Sequence, residues 1–205
     1  MTLGEIIAIT KDVLVAIAAA TTAIVAVLGL KSWSRELKGK TEFEAARLLM
    51  KSTYKLRDEL AYARSPFIRA GEFPEDYPGN MQENPPEREA QAWAYVYENR
   101  LSPVRDALQE FDTNLLEAEA LWGGEIKQKG DDLRQCIVEL HAAIEAVIED
   151  KRNNGEDFKA DREFAKSMRS QVSASRNSQD NQLNNKIKNA IDAIENQIQP
   201  HLNRS

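Results

Sequence analysis

Histidine, cysteine and paired carboxylates are the side chains from which most catalytic and metal sites are built, and this 205-residue sequence holds two histidines and one cysteine. His141 and His201 stand outside any H-E-x-x-H or E-x-x-H arrangement, the spacings that set ligands together on one helix face. His141 and Glu145 share a face at i,i+4, but one such pair leaves a metal short of ligands, so the spacing reads as surface hydrogen bonding or packing at a bundle edge. Cys136 lies five residues before His141, an offset that points the two side chains in different directions and gives no thiol-imidazole pair. It adjoins Ile137 in an apolar stripe and reads as a small core residue. No G-x-x-x-x-G-K-[ST] or G-x-G-x-x-G phosphate loop and no G-x-S-x-G nucleophile elbow occurs. Asp and Glu are plentiful, but at 29% charged residues they read as solvated helix faces. The expectation is a protein that is not an enzyme, with no catalytic residue, no metal ligand and no cofactor.

Charge and cysteine content narrow the partners. The formal net charge is -6, and residues 71–150 carry 19 acidic against 6 basic side chains. Such a surface repels nucleic acid, whose recognition needs clustered Lys and Arg, so no nucleic-acid partner is expected. A single cysteine excludes an intrachain disulfide and favours the cytosolic side of a membrane.

The apolar residues are concentrated at the N-terminus. Val13 to Leu30 reads VLVAIAAATTAIVAVLGL without a charge. At about 1.5 Å per residue these residues make a helix roughly 27 Å long, close to the hydrocarbon thickness of a bilayer. The expectation is a single transmembrane helix at 13–30, with residues 1–12 as a short external terminus in which Lys11 and Asp12 sit at the interface. A cleaved signal peptide would need a basic n-region, which is missing. Lys31, Arg35, Lys38 and Lys40 crowd the other flank with Trp33 among them, a basic and aromatic juxtamembrane segment at 31–40 that suits membrane lipid. By the positive-inside rule this flank and all that follows lie in the cytoplasm, as a single-pass protein of a cell inner membrane. Ala16, Ala19, Ala20 and Ala23 form a small-residue face on which spanning helices could associate.

Residues 41–205 read as a soluble, all-α domain. Thr41-Glu42-Phe43-Glu44 has the capping-box pattern, so a new helix is expected to start there and to close at Pro66. An irregular segment follows at 65–85, rich in proline yet holding Phe67, Ile68, Phe73 and Tyr77. It is either an aromatic lid over the core or a partner-binding loop, with Arg64, Phe67, Arg69, Phe73 and Tyr77 as the candidate contacts. Phe67, directly after a helix end, is expected to pack, and Tyr77, between Asp76 and Pro78, to meet a partner. Arg64 and Arg69 also flank Pro66-Phe67-Ile68 in a way that could touch anionic headgroups. Pro85-Pro86 reads as a helix start, after which apolar residues recur from Ala90 to Trp122 at alternating three and four, with Pro103 set to kink or split the helix. Gly123-Gly124 turns into a helix carrying Ile126, Leu133, Ile137, Leu140 and Ile144, which stops at Asn153-Asn154-Gly155. A weaker helix over Phe158 to Val172 and a final one from Leu183 to Leu202 complete five soluble helices, an elongated antiparallel bundle.

Trp33 to Lys40 (WSRELKGK), Thr41 to Arg64 and the following SPFIRAGEF resemble an uncharacterised family of small bacterial proteins with an N-terminal membrane helix, over residues 31–78. The resemblance implies a bacterial source and carries no activity, partner or site. The functional expectation is a membrane-tethered interaction or scaffold protein that binds a protein partner or a second copy. The alternative is a small membrane effector or channel-like oligomer assembled through the Ala/Thr-rich helix, against which the uncharged span counts, since an ion path normally shows polar groups inside the membrane.

Overall fold

The computed structural model describes residues 3–77, 85–174 and 180–202, except for the side chains of residues 5, 6, 8, 9, 10 and 12. Parts of the proline-rich segment (78–84) and of the polar stretch before the last helix (175–179) lie outside the described residues. The described chain is all-helical, with no strand: α1 Leu3–Ala63, a 3-10 turn Ala70–Glu72, α2 Pro86–Trp122, α3 Gly124–Arg152, α4 Glu156–Ala160, α5 Arg162–Val172 and α6 Gln182–Leu202. It divides into two compact units, Met1–Glu44 and Ala45–Ser205.

The first unit is helical, and from Val13 it contains a stretch long and apolar enough to cross a membrane, none of it buried against protein. The two hydroxyls between Val13 and Leu30 are satisfied within the helix, Thr21 Oγ1 donating to the Ile17 carbonyl and Thr22 Oγ1 to that of Ala18, both at 2.9 Å. Back-bonding of this kind is what lets threonine sit in hydrocarbon. The expected helix start at Thr41 is not found, because α1 passes through Gly39 and Thr41 unbroken. A capping threonine precedes its helix and accepts from a backbone N–H of the first turn ahead of it, whereas Thr41 Oγ1 donates to the Leu37 carbonyl at 3.1 Å, one turn back in the same helix. The i,i+4 pairs Lys40–Glu36 (2.7 Å) and Lys38–Glu42 (3.7 Å) bridge the same turn, and one exposed glycine costs a helix only about 1 kcal/mol.

The second unit is built on periodic apolar faces. The last part of α1 contributes Ala46, Leu49, Met50, Leu56, Leu60 and Ala63 to one continuous core with α2, α3 and α6. α2 starts with Pro86 in its first turn and buries Ala90, Tyr97, Leu101, Val104, Phe111, Leu115 and Ala118, as the three-four spacing requires. Pro103 does not split it, and α2 stays one helix of 37 residues. Gly123, at φ 85° and ψ -174°, takes a positive-φ conformation open to glycine that ends α2 and leads directly into α3. The two helices then run antiparallel, since Lys127 pairs with Glu119 beside the turn, Arg134 with Asp112 further on, and Lys151 with Glu89 at the far end. α3 packs on α2, α4, α5 and α6.

α3 ends in a turn where Asn154 (φ 58°) and Gly155 (φ 77°) are left-handed and the Gly155 N–H donates to the Asp150 carbonyl at 2.7 Å. The single helix expected over 158–172 is two, because Asp161 is extended (φ -133°) and its carboxylate accepts from the Phe164 N–H at 2.9 Å, capping α5 afresh. α6 presents Leu183, Ile187, Ile191, Ile194 and Ile198 inward.

Gly130 of α3 lies directly against α2, where an added Cβ would overlap the side chain of Leu115, itself only 1% exposed. Gly130→Ala should therefore lower the unfolding temperature, although helix propensity alone favours Ala by about 1 kcal/mol, because overpacking a closed core costs about 1–3 kcal/mol. A rise in unfolding temperature would show that Leu115 yields freely.

Candidate functional site

The segment after α1 is organised by two buried arginines that approach it from different elements. Arg100 lies on the apolar face of α2, 4% exposed, and its guanidinium donates in four directions. Nε and one Nη meet the two Glu72 carboxylate oxygens at 2.6 and 3.0 Å, and the carbonyls of Ser65 and Phe67 accept at 2.8 and 2.7 Å. A planar fork with five donors can fix a carboxylate and two carbonyls together, which an ammonium group could not do with the same geometry. Glu72 Oε1 also accepts from the Arg69 N–H at 2.9 Å. The hydrogen bond from Arg100 holds the Glu72 carboxyl below its ordinary range.

Arg64 is 2% exposed and, among the described residues, meets no carboxylate. Its acceptors are the carbonyls of Gln171 (2.7 Å) and Ser170 (3.4 Å), Asn181 Oδ1 (2.9 Å) and Asn184 Oδ1. The two carbonyls belong to the last turn of α5, where no intrahelical donor remains and the helix dipole is negative. Arg64 thus closes the end of α5 while fastening the end of α1 to the start of α6. Burial pushes its pKa down to about 10, which leaves it charged at neutral pH.

Sequence reasoning placed Arg64 among solvent-facing contacts, and the structure corrects this: its guanidinium is enclosed by α5 and α6 and is not available to headgroups or a partner. The aromatic residues are also redistributed. Phe73 stacks on Tyr77 at 5.0 Å and meets Trp93 edge-on at 5.4 Å, Trp93 continues to Tyr97 at 5.8 Å, and Lys151 Nζ sits 4.4 Å over the Trp93 ring. Tyr77, expected to meet a partner, is part of this lid, and Phe67, expected to pack, is 69% exposed. The reason is Arg100: by holding the Ser65 and Phe67 carbonyls it turns this stretch of backbone inward and leaves the Phe67 ring outside. Arg69 is exposed as well. The signal for Arg100 was its position, three residues after Tyr97 and four before Val104 on an apolar stripe.

Elsewhere in this unit, an open groove of about 450 Å³ between α2 and α3 is lined by Tyr95, Leu101, His141, Ile144, Glu145 and Ile148. His141 Nδ1 and Glu145 Oε1 are 3.3 Å apart on its exposed rim. Cys136 is buried, and burial pushes its thiol up to about 11, so it carries no thiolate at neutral pH. Among the described residues no three of His, Cys, Asp and Glu gather in a metal-binding arrangement. In the first unit, Lys31, Trp33, Arg35, Lys38 and Lys40 are all exposed on α1, as are Ala16, Ala19, Ala20 and Ala23. Comparison of the chain with protein-family models, curated proteins and solved structures finds no match.

Removing one partner of a buried pair strands the other, so Arg100→Leu is expected to destabilise the domain by about 3–5 kcal/mol in thermal or urea unfolding. The Glu72 partnership also predicts a pH signature. A carboxyl whose pKa is lowered on folding stabilises above its ordinary value of 4.5 and loses that contribution as pH falls through the folded value. The stability difference between the natural chain and Glu72→Gln should accordingly be full near neutral pH and close below pH 4.5. A difference that stays constant down to strong acid would contradict the assignment.

Proposed function

We propose that this chain is a single-pass membrane protein in which the N-terminal helix tethers a helical domain that serves as an interaction or scaffold module, with no chemistry of its own. One observation carries the reading: among the described residues, the apolar side chains of residues 13–30 all stand exposed. The reading takes the second unit to be an elongated antiparallel bundle lying in the cytoplasm. Lys31, Arg35, Lys38 and Lys40 outnumber the single Lys11 before the span, which favours that orientation. The resemblance over residues 31–78 adds a bacterial source, and the reading takes the inner membrane as the setting. Tethering is itself a mechanism, since confinement to one surface raises the encounter rate with anything else held there.

Phe67 and Arg69 are the contact residues in this reading. An exposed aromatic on a backbone held by buried hydrogen bonds loses little entropy on binding, the property that makes such residues anchors. Arg64, Phe73 and Tyr77 hold the fold instead.

The full-length chain is expected to stay with membranes through a carbonate wash, whereas a chain starting at Thr41 is soluble and helical by circular dichroism. Reporters joined after Ser205 should be active in the cytoplasm. Full-length protein soluble without detergent, or a reporter active only outside, would overturn the anchor or the orientation respectively.

Phe67→Ala is expected to change domain stability by no more than about 0.5 kcal/mol, as for other exposed positions, while reducing cross-linking of the full-length chain to a membrane neighbour. Unfolding of the domain by this substitution would place Phe67 in the core, and unchanged cross-linking would remove it from the contact surface.

A further inference from the structure

Because α1 runs past Leu30 without a break, the side chains that flank the apolar stretch have a fixed angular order. At about 100° per residue, Lys31, Arg35 and Lys38 share one face at i, i+4 and i+7, while Leu30, Trp33 and Leu37 occupy another and Lys40 falls on the side away from Lys31. The four cations are not equivalent in their partners. Lys40 is held by Glu36 at 2.7 Å, and Lys38 has a longer contact of 3.7 Å to Glu42. Lys31 and Arg35 have no acid three or four residues away in either direction, and among the described residues no carboxylate stands at ion-pair distance from either.

Depth adds to this order. At about 1.5 Å per residue, Lys31 and Arg35 lie within roughly 8 Å of Leu30, comparable to the headgroup layer of one leaflet, and Lys38 lies about 12 Å beyond it. Helical side chains lean toward the N-terminus, which here is back toward the bilayer, so all three cations reach toward the plane of the phosphates. A second copy is unsuited to this face because like charges would meet.

We infer that the Lys31–Arg35–Lys38 face selects phospholipids with net negative headgroups over zwitterionic ones, with Lys31 and Arg35 making the main contacts and Lys40 contributing little. The inference rests on the membrane-anchor reading. Each cation near a charged surface is worth about a fivefold preference at moderate salt, and the effect weakens as salt screens it.

The test uses the full-length chain reconstituted in phosphatidylcholine vesicles containing a trace of spin-labelled phosphatidylglycerol or, separately, spin-labelled phosphatidylcholine. The readout is the fraction of label immobilised by the protein. The natural chain should immobilise phosphatidylglycerol severalfold more than phosphatidylcholine, and added salt should reduce the ratio. Lys31→Gln/Arg35→Gln should abolish the preference, Lys31→Arg should keep it, and Lys40→Gln should leave it nearly unchanged. Equal immobilisation of the two lipids, or an equal loss with Lys40→Gln, overturns the lipid inference while the anchor stands. Release of the chain from phosphatidylcholine vesicles by carbonate overturns the anchor, and this inference with it.

Discussion

Nine branched aliphatic side chains between Val13 and Leu30 stand more than half exposed on one helix. Burial of each is worth about 1.5–3 kcal/mol, so leaving them in water forgoes on the order of 15 kcal/mol, as much as the whole net stability of an ordinary domain. Some cover is required, and the described protein offers none. A bilayer meets the requirement by length, by the absence of charge and by the internal satisfaction of Thr21 and Thr22. The proposed tether, orientation and lipid preference all descend from this one requirement.

Within the second unit the corresponding constraint is that two guanidinium groups are closed off from water, and they meet it in different ways. Arg100 takes a carboxylate and two loop carbonyls, so that its charge is compensated and the loop backbone is set in one conformation. Arg64 takes no acid among the described residues and draws on the negative end of α5 together with two asparagine side chains. One residue fixes the backbone that leaves Phe67 exposed and the other ties helix ends together, so the proposed contact surface is a product of burial elsewhere.

How much of this is legible in the sequence follows from what each signal depends on. The apolar span, the three-four stripe of α2, the Gly123 turn and the Asn154-Gly155 stop rest on local periodicity and backbone chemistry, and each is found where it was expected. The capping pattern at Thr41 misled because a short motif indicates what a helix start would use, and nothing in it opposes an existing helix running through. Asp161 is a true cap, but it is set in a weakly periodic stretch where no neighbouring pattern marks a helix start. The placements of Phe67 and Tyr77 are the reverse of those expected, since Phe67 depends on Arg100, 33 residues away in the chain, and Tyr77 on the Phe73 ring that meets Trp93 of α2, and no local pattern records such contacts. Arg64 was read by its charge as a surface residue, although its length and fork also suit it to the open carbonyls of a helix end.

Hydrogen exchange of the full-length chain in lipid bilayers tests the central claim most directly, because amides inside hydrocarbon are sheltered from water in a way that an exposed helix is not. The account predicts strong protection across residues 13–30 and much faster exchange over 31–40, where α1 has neither lipid core nor protein around it. Equal, rapid exchange through both stretches would contradict it and leave the apolar side chains of α1 without an explanation.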